Sequence, residues 1–358
     1  MDIYEHTAAH CFRVATGSAR GISDVVALEG DRLVLRDGGR SIAFDAVEIL
    51  PSNCADPLDD SPPAVFAAAI ATIAEHHLPA PGETWHREAE TIGSNLAEES
   101  DAGELHAALV AALALLDDPE VRLAPGGEVA ASWPQAPEAG DALSARWPET
   151  WEGRMLVGEA APGVAYVGFL QLLTEGEEDQ RALAAALDGA LGGADAAVID
   201  LRPASGGVEE AALQVATRFV PSDQVVASLW ARAGEGIVAA GDLSVSPRPT
   251  GVFPGAVVLL VGPDTSGAGE LLARILAGLP GVIVVGEPTA GSPREPLVRA
   301  LPNGWSLGVP NLDVIGPNGG SWLEPLVPDV MAPTTVIDLA EGRDPGLEAA
   351  LRVIGGGG

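Results

Sequence analysis

The chain has 358 residues, 47% of them hydrophobic, with a formal net charge of −32. The length and apolar content allow two or three packed units, while the charge disfavours nucleic acid and anionic membranes, which would repel it. No apolar run approaches the roughly eighteen residues of a membrane span, and the opening MDIYEHTAAHCFRV has neither the basic nor the apolar region of a secretory signal, so a cytoplasmic protein is expected.

In chain order, residues 24–50 alternate apolar and polar around Glu29-Gly30-Asp31 and Asp37-Gly38-Gly39, which predicts a small β-meander within an N-terminal unit spanning 1–50. A Pro/Asp/Ser-rich linker follows at 51–63. Helical spacing then recurs at 64–78, 84–97 and 103–116, defining a helical subdomain at 64–123. Residues 124–153 are rich in Pro, Gly and Trp and read as an irregular connection.

From 154 to 340 strands and helices alternate: strands at 164–169, 195–201, 256–262 and 282–286, helices at 179–191, 208–220 and 268–278. This order predicts an α/β layer with partly parallel pairing. The stretches 297–315 and 322–338 read as β-rich, and 341–358 as a terminal helix with a glycine tail.

All nineteen basic residues are arginine. A lysine base, a Schiff-base lysine and a phosphate-loop lysine are therefore excluded. Cys11 and Cys54 are too few for a disulfide framework and have no metal-ligand spacing, so they read as free thiols. His6 and His10 lie four apart but lack a third ligand. The pair His76-His77, with His86 and His106, reads as helix-surface or packing residues. Neither a metal nor a cofactor is expected.

The segments AYVGFLQL (165–172), AVIDLRPASGG (197–207), VVLLVGPDTSGAGELLA (257–273), VVGEPTAGSP (284–293) and WLEPLVPDV (322–330) carry a resemblance in their order. Together they resemble the C-terminal-processing (tail-specific) serine protease family, most nearly its branch with the tricorn protease core and the interphotoreceptor retinoid-binding protein. The resemblance implies a crotonase-like (ClpP-like) α/β core behind the helical subdomain and the small β unit. The family usually carries a PDZ module between its helical and α/β parts; the short irregular connection at 124–153 leads us to expect none here.

The same resemblance places the catalytic positions, and there the residues differ. The family's nucleophilic serine stands three residues before a glutamate; counting back from Glu270 puts Gly267 there, with Ser266 one residue early. The histidine base of the tricorn-like branch maps to Glu120, and the lysine base of the other branch to Ser292. The carboxylate that orients the base maps to Glu324. Gly206 and Gly207 match the oxyanion turn, and Gly267 with Ala268 adds backbone N–H groups at a helix start where a carbonyl or carboxylate oxygen could bind.

A serine without an adjacent base is a poor nucleophile. The sequence therefore points to a protein that has left peptide hydrolysis. Ser266 remains an alternative nucleophile if a local bulge re-aims it, and otherwise reads as a cap of the following helix. Glu120 and Glu324, if they meet, would form a general acid beside a general base, a pairing suited to a cyclase or isomerase. Arg294 could pair a ligand carboxylate, and Asp264 is a base candidate or a turn former. The expected ligand is a largely apolar small molecule or peptide; homo-oligomerisation is left open, and a pure binding or scaffold role is the remaining alternative.

Overall fold

Parallel strands covered on both faces need apolar side chains at every position, not at alternate ones, and VAYVGF, AAVID and AVVLLV have this character. The computed structural model describes residues 59–356 except 119, 127–137, 175, 234–235 and 295, together with the backbone of five strands between residues 2 and 45.

Those five strands come first. β1 (Asp2–Ala8) and β2 (Cys11–Thr16) form an antiparallel hairpin, and β3 (Val25–Glu29), β4 (Arg32–Asp37) and β5 (Arg40–Asp45) form the expected meander. The thiols of Cys11 and Cys54, the His6–His10 pair and most of the 51–63 linker lie outside the described residues.

Three helices follow: α1 (Pro62–His76), α2 (Glu83–Gly93) and α3 (Ala102–Ala114). Prolines occupy the first positions of α1, where their missing N–H costs nothing. A reciprocal Asp101–Glu104 capping box starts α3. These helices bury Val65, Ile73, Trp85 and Leu109 in a cluster of their own. That cluster is completed from far along the chain, by Leu301, Leu307 and Val309. The strand β6 (Arg122–Ala124) leaves the helical region, and the 124–153 connection contains α4 (Glu138–Ser144) and β7 (Glu149–Thr150).

The α/β core then runs β8 (Met155–Ala161), β9 (Val164–Phe169), α5 (Glu177–Leu191), β10 (Ala196–Asp200) and α6 (Glu209–Ala216). A long hairpin, β11 (Gln224–Ala233) and β12 (Gly236–Val245), precedes β13 (Ala256–Val261), α7 (Ala268–Ala277) and β14 (Ile283–Gly286). After them come β15 (Leu297–Ala300), β16 (Ser306–Val309), β17 (Leu312–Ile315), β18 (Val330–Met331), α8 (Val336–Ala340) and α9 (Pro345–Gly356).

The main sheet has seven strands in the order β18-β14-β13-β10-β9-β8-β7. It is parallel from β18 to β9 and antiparallel at β8 and β7. Alternate residues of one strand feed two different cores. Ala197 and Ile199 face the cluster under α5, α6 and α7, whereas Ala196 and Val198 face the cluster containing Leu347 and Ala350 of α9.

Two smaller sheets, β12-β11-β17 and β15-β16-β6, flank it. The second joins β6, just beyond the helices, to strands from the end of the core, so the helical unit is not contiguous in sequence. The sequence reading did not anticipate the hairpin β11–β12. Two irregularities in its register, between Val225 and Ala227 and between Leu229 and Trp230, interrupt the period-two pattern, and Ile237 and Val238 are both exposed, so alternation carries no signal there.

Candidate functional site

The carboxyl ends of parallel strands are where an α/β sheet offers a crevice, and the turns after β10, β13 and β14 meet there. Their stitching is dense. Ser266 donates its N–H to the Ala204 carbonyl at 3.1 Å, and Gly206 donates back to the Ser266 carbonyl at 3.2 Å. Gly267 donates to the Ser292 carbonyl at 2.6 Å, and Ala290 to the Thr265 carbonyl at 3.1 Å. The Thr265 hydroxyl donates to the Leu201 carbonyl at 2.7 Å and accepts from the Gly262 N–H.

Glu270, fully buried in α7, ties the third turn in: its carboxylate accepts from the Thr289 hydroxyl at 2.8 Å, the Gly291 N–H at 3.1 Å and Arg274 Nε at 3.0 Å. Burial pushes this carboxyl above the ordinary glutamate value, and the three donors oppose the rise without cancelling it.

Behind the crevice, Arg202 is clamped between two buried carboxylates. It meets Asp200 through Nε and Nη2 and Asp344 through Nη1 at 2.7 Å and Nη2 at 2.9 Å. Tyr166 donates to Asp200 at 2.8 Å, and Asp344 also accepts from the Leu347 N–H at the start of α9. Burial and the Asp200 charge push the Tyr166 phenol far up, so it stays protonated as a donor.

A cavity of about 350 Å³ opens between these turns and the helical unit. Its polar lining comes from Asp118, Glu120, Arg122, Ser266, Ser292 and Arg294. Arg294 is buried, with Nη1 donating to the carbonyls of Leu78 at 3.1 Å and Leu312 at 3.0 Å. Its Nε donates to Glu120 Oε2 at 2.7 Å, and Nη2 pairs with the same oxygen. Asp118 Oδ2 lies 3.7 Å from Nη2 of Arg294 and 3.1 Å from Nε2 of the buried His77, whose Nδ1 faces the Pro79 carbonyl at 2.7 Å. A second cavity of about 90 Å³ adjoins through Arg294 and is walled by Leu229, Leu243, Leu271, Leu312 and Val314.

The two acidic groups in the larger cavity are driven in opposite directions. Burial raises the Glu120 carboxyl above its usual value, and Asp118 adds to the rise, against the pull of Arg294. Asp118 would also rise by burial, but the hydrogen bonds from His77 and the Glu120 N–H, with the Arg294 charge, hold it below the aspartate range.

Several sequence expectations are corrected here. Glu324 is exposed and outside the cavity lining, and the charged groups facing Glu120 are Arg294, Asp118 and Arg122, so the acidic pair sharing the cavity is Asp118 with Glu120. The chain leaves β17 through a short turn and brings Leu323, not Glu324, to the wall. Two amides expected to await an oxyanion, those of Gly206 and Gly267, already donate within the stitched turns. Ala268 is buried as the first residue of α7, and Gly207 is buried beside the Leu172 carbonyl. Asp264 is exposed on the turn and does not line the cavity. Ser266 does not cap α7: the N-cap is Gly267, and the Ser266 hydroxyl lines the cavity with no hydrogen bond among the described residues.

His77 and Asp118 were missed. His77 read as a packing residue, and only the run DDPE after a helix hinted at a corner able to hold two carboxylates.

The comparisons fit this geometry. Residues 164–332 match the model of peptidase family S41. Among solved structures, a candidate peptidase from Parabacteroides merdae ATCC 43184 aligns with TM-score 0.66 at 20% identity, covering 83% of this chain and 97% of its own. The photosystem II D1 C-terminal processing protease aligns with TM-score 0.51 at 16% identity, over 83% of this chain and 98% of its own. The tricorn protease aligns with TM-score 0.54 at 11% identity, covering 92% of this chain and 41% of its own. At these identities the likeness establishes the fold. No curated protein matches the chain. Among the described residues, no helix is long and apolar enough to cross a membrane.

Proposed function

We propose that this chain does not cleave peptides and that its former active-site cleft binds a small, partly apolar molecule or short peptide in the cytoplasm. The observation that carries the reading is the backbone at Gly267. This glycine has φ 56° and ψ −127°, and a Cβ built on it would lie 2.7 Å from the Cα of Gly206. A side chain at the nucleophile position therefore has no room without movement of the neighbouring turn.

The loss of bases supports the same reading. Ser292 occupies one family base position, and Glu120, at the other, is engaged by Arg294. What the cavity keeps is a pair of carboxyls with separated proton affinities: burial raises that of Glu120, whereas hydrogen bonds and the Arg294 charge hold that of Asp118 low. Such a pair suits proton shuffling on a bound molecule, as in isomerisation, cyclisation or elimination, and needs no covalent intermediate. The leucine-lined cavity beside it supplies an apolar wall for the rest of the ligand.

The rival is a serine peptidase using Ser266, favoured by the position of that hydroxyl in the cavity. A fluorophosphonate probe with peptide mapping decides between them. We expect no labelled serine; modification of Ser266 that is lost in Ser266→Ala would establish the peptidase.

A further inference from the structure

We propose that the larger cavity is a receptor for a carboxylate, that Glu120 occupies the ligand's place on Arg294 when the site is empty, and that binding is coupled to uptake of one proton by Glu120. The inference rests on the reading of the cleft as a ligand site and adds the chemical class of the ligand and the way the site is regulated.

Arg294 does not need Glu120 to hold its place. Two backbone carbonyls, from Leu78 and Leu312, fix Nη1, which leaves the Nε–Nη2 edge for an anion. A guanidinium edge is best used by a carboxylate giving one oxygen to each N–H. Glu120 does not do this. Both bonds go to Oε2, and Oε1 has no hydrogen bond among the described residues. The hydroxyls of Ser266 and Ser292 line the same space and have no hydrogen bond among the described residues. The cavity thus offers donors in excess of what its own acceptors use, which is the complement of a carboxylate.

Charge balance supplies the proton coupling. Among the described residues of the lining, Asp118 and Glu120 face Arg122 and Arg294, two acids against two bases. One more carboxylate leaves an uncompensated negative charge in a partly buried space, where repulsion is weakly screened. Of the two acids, Glu120 takes the proton. His77, the Glu120 N–H and Arg294 all stabilise ionised Asp118, whereas displacement from the guanidinium removes the partner that keeps Glu120 ionised. Protonated Glu120 then becomes a donor itself. A neutral amide or alcohol would leave Glu120 on Arg294 and take up no proton.

The test is calorimetric titration of the full chain with straight-chain carboxylates from acetate to hexanoate, their primary amides serving as neutral controls, in buffers of differing ionisation enthalpy. We expect the acids to bind at least about tenfold more tightly than the amides, with about one proton taken up and an affinity that falls about tenfold per pH unit as Glu120 ionises. Glu120→Gln should bind the acids more tightly at neutral pH, with the proton uptake and the pH slope both lost; Arg294→Met should lose the preference for acids. Should Arg294→Met fail to fold, Glu120→Gln decides alone. Equal affinity for acid and amide, binding without proton uptake, or no binding of any acid at millimolar concentration overturns the inference. Each of these outcomes is separate from the fluorophosphonate result: labelling of Ser266 removes the reading underneath, whereas amide binding without labelling removes only the carboxylate.

Discussion

Placing a serine at 267, the position proposed to correspond to the family's nucleophile, should not create a peptidase, and it should destabilise the chain. Two costs can be assigned. The backbone at 267 has φ 56° with ψ −127°, a conformation that L side chains adopt at about 1–3 kcal/mol. The new Cβ would sit 2.7 Å from the Cα and 3.1 Å from the carbonyl carbon of Gly206. That neighbour is backbone, held by its N–H bond to the Ser266 carbonyl, so it gives way poorly, and overpacking of this kind costs about 1–3 kcal/mol. The sum is about 2–6 kcal/mol, which for a core of this size corresponds to a fall in Tm of roughly 4–24 °C. Scanning calorimetry of wild type, Gly267→Ala and Gly267→Ser measures it, and the alanine variant should carry most of the loss because the clash begins at Cβ. A Gly267→Ser protein melting within about 1 °C of wild type would refute the steric argument. One that also cleaved peptides would refute the argument that the cavity lacks a base for a serine at this position.

Other outcomes follow from the buried charges. Arg202→Met should cost about 3–5 kcal/mol, because it strands Asp200 and Asp344 without a cation; urea unfolding reads the loss. The Glu270 carboxyl is raised in the folded state, so its contribution is full below the unfolded value and is lost as pH rises through the folded one. As pH rises above about 4, the unfolded glutamate value, wild type should therefore lose stability relative to Glu270→Gln, and a flat difference in the denaturant midpoint would contradict this. Asp118 is lowered, so its contribution is present above the unfolded value and lost as pH falls. Asp118→Asn should cost about 1–3 kcal/mol at neutral pH by leaving the buried His77 without its carboxylate, with the gap closing in acid as wild type loses the same interaction.

The parts of the fold legible in the sequence were those with one dominant signal. The apolar runs at 164–169 and 256–261 are strands because both faces of the sheet are covered, and burial on two sides leaves an unbroken pattern. The hairpin at 224–245 lacked that signal, since bulges and exposed apolar residues blurred its alternation. The site divides in the same way. The family resemblance pointed to Gly267 and Glu120, and the structure puts Gly267 at the start of α7 and Glu120 in the cavity lining. The partners of Glu120 did not follow. Arg294 reaches it across 174 residues of sequence, and whether a distant glutamate or a distant arginine fills the space depends on how one loop exits β17. The ionisation of Asp118 was equally hidden, because it depends on the imidazole of His77, brought in from the end of α1.

The Arg202 clamp also bears on the order in which the molecule assembles. Its two carboxylates come from the residue two positions earlier and from one 142 positions later. The local half can form as soon as β10 exists, but the other half waits until the chain has reached Asp344, near the start of α9. Loop closure over such a span is slow relative to local contacts. The arginine four residues before Gly206 thus gains its second carboxylate only from the last part of the chain. A chain cut before Asp344 would therefore leave Arg202 with Asp200 alone and the rear of the crevice without its second fastening.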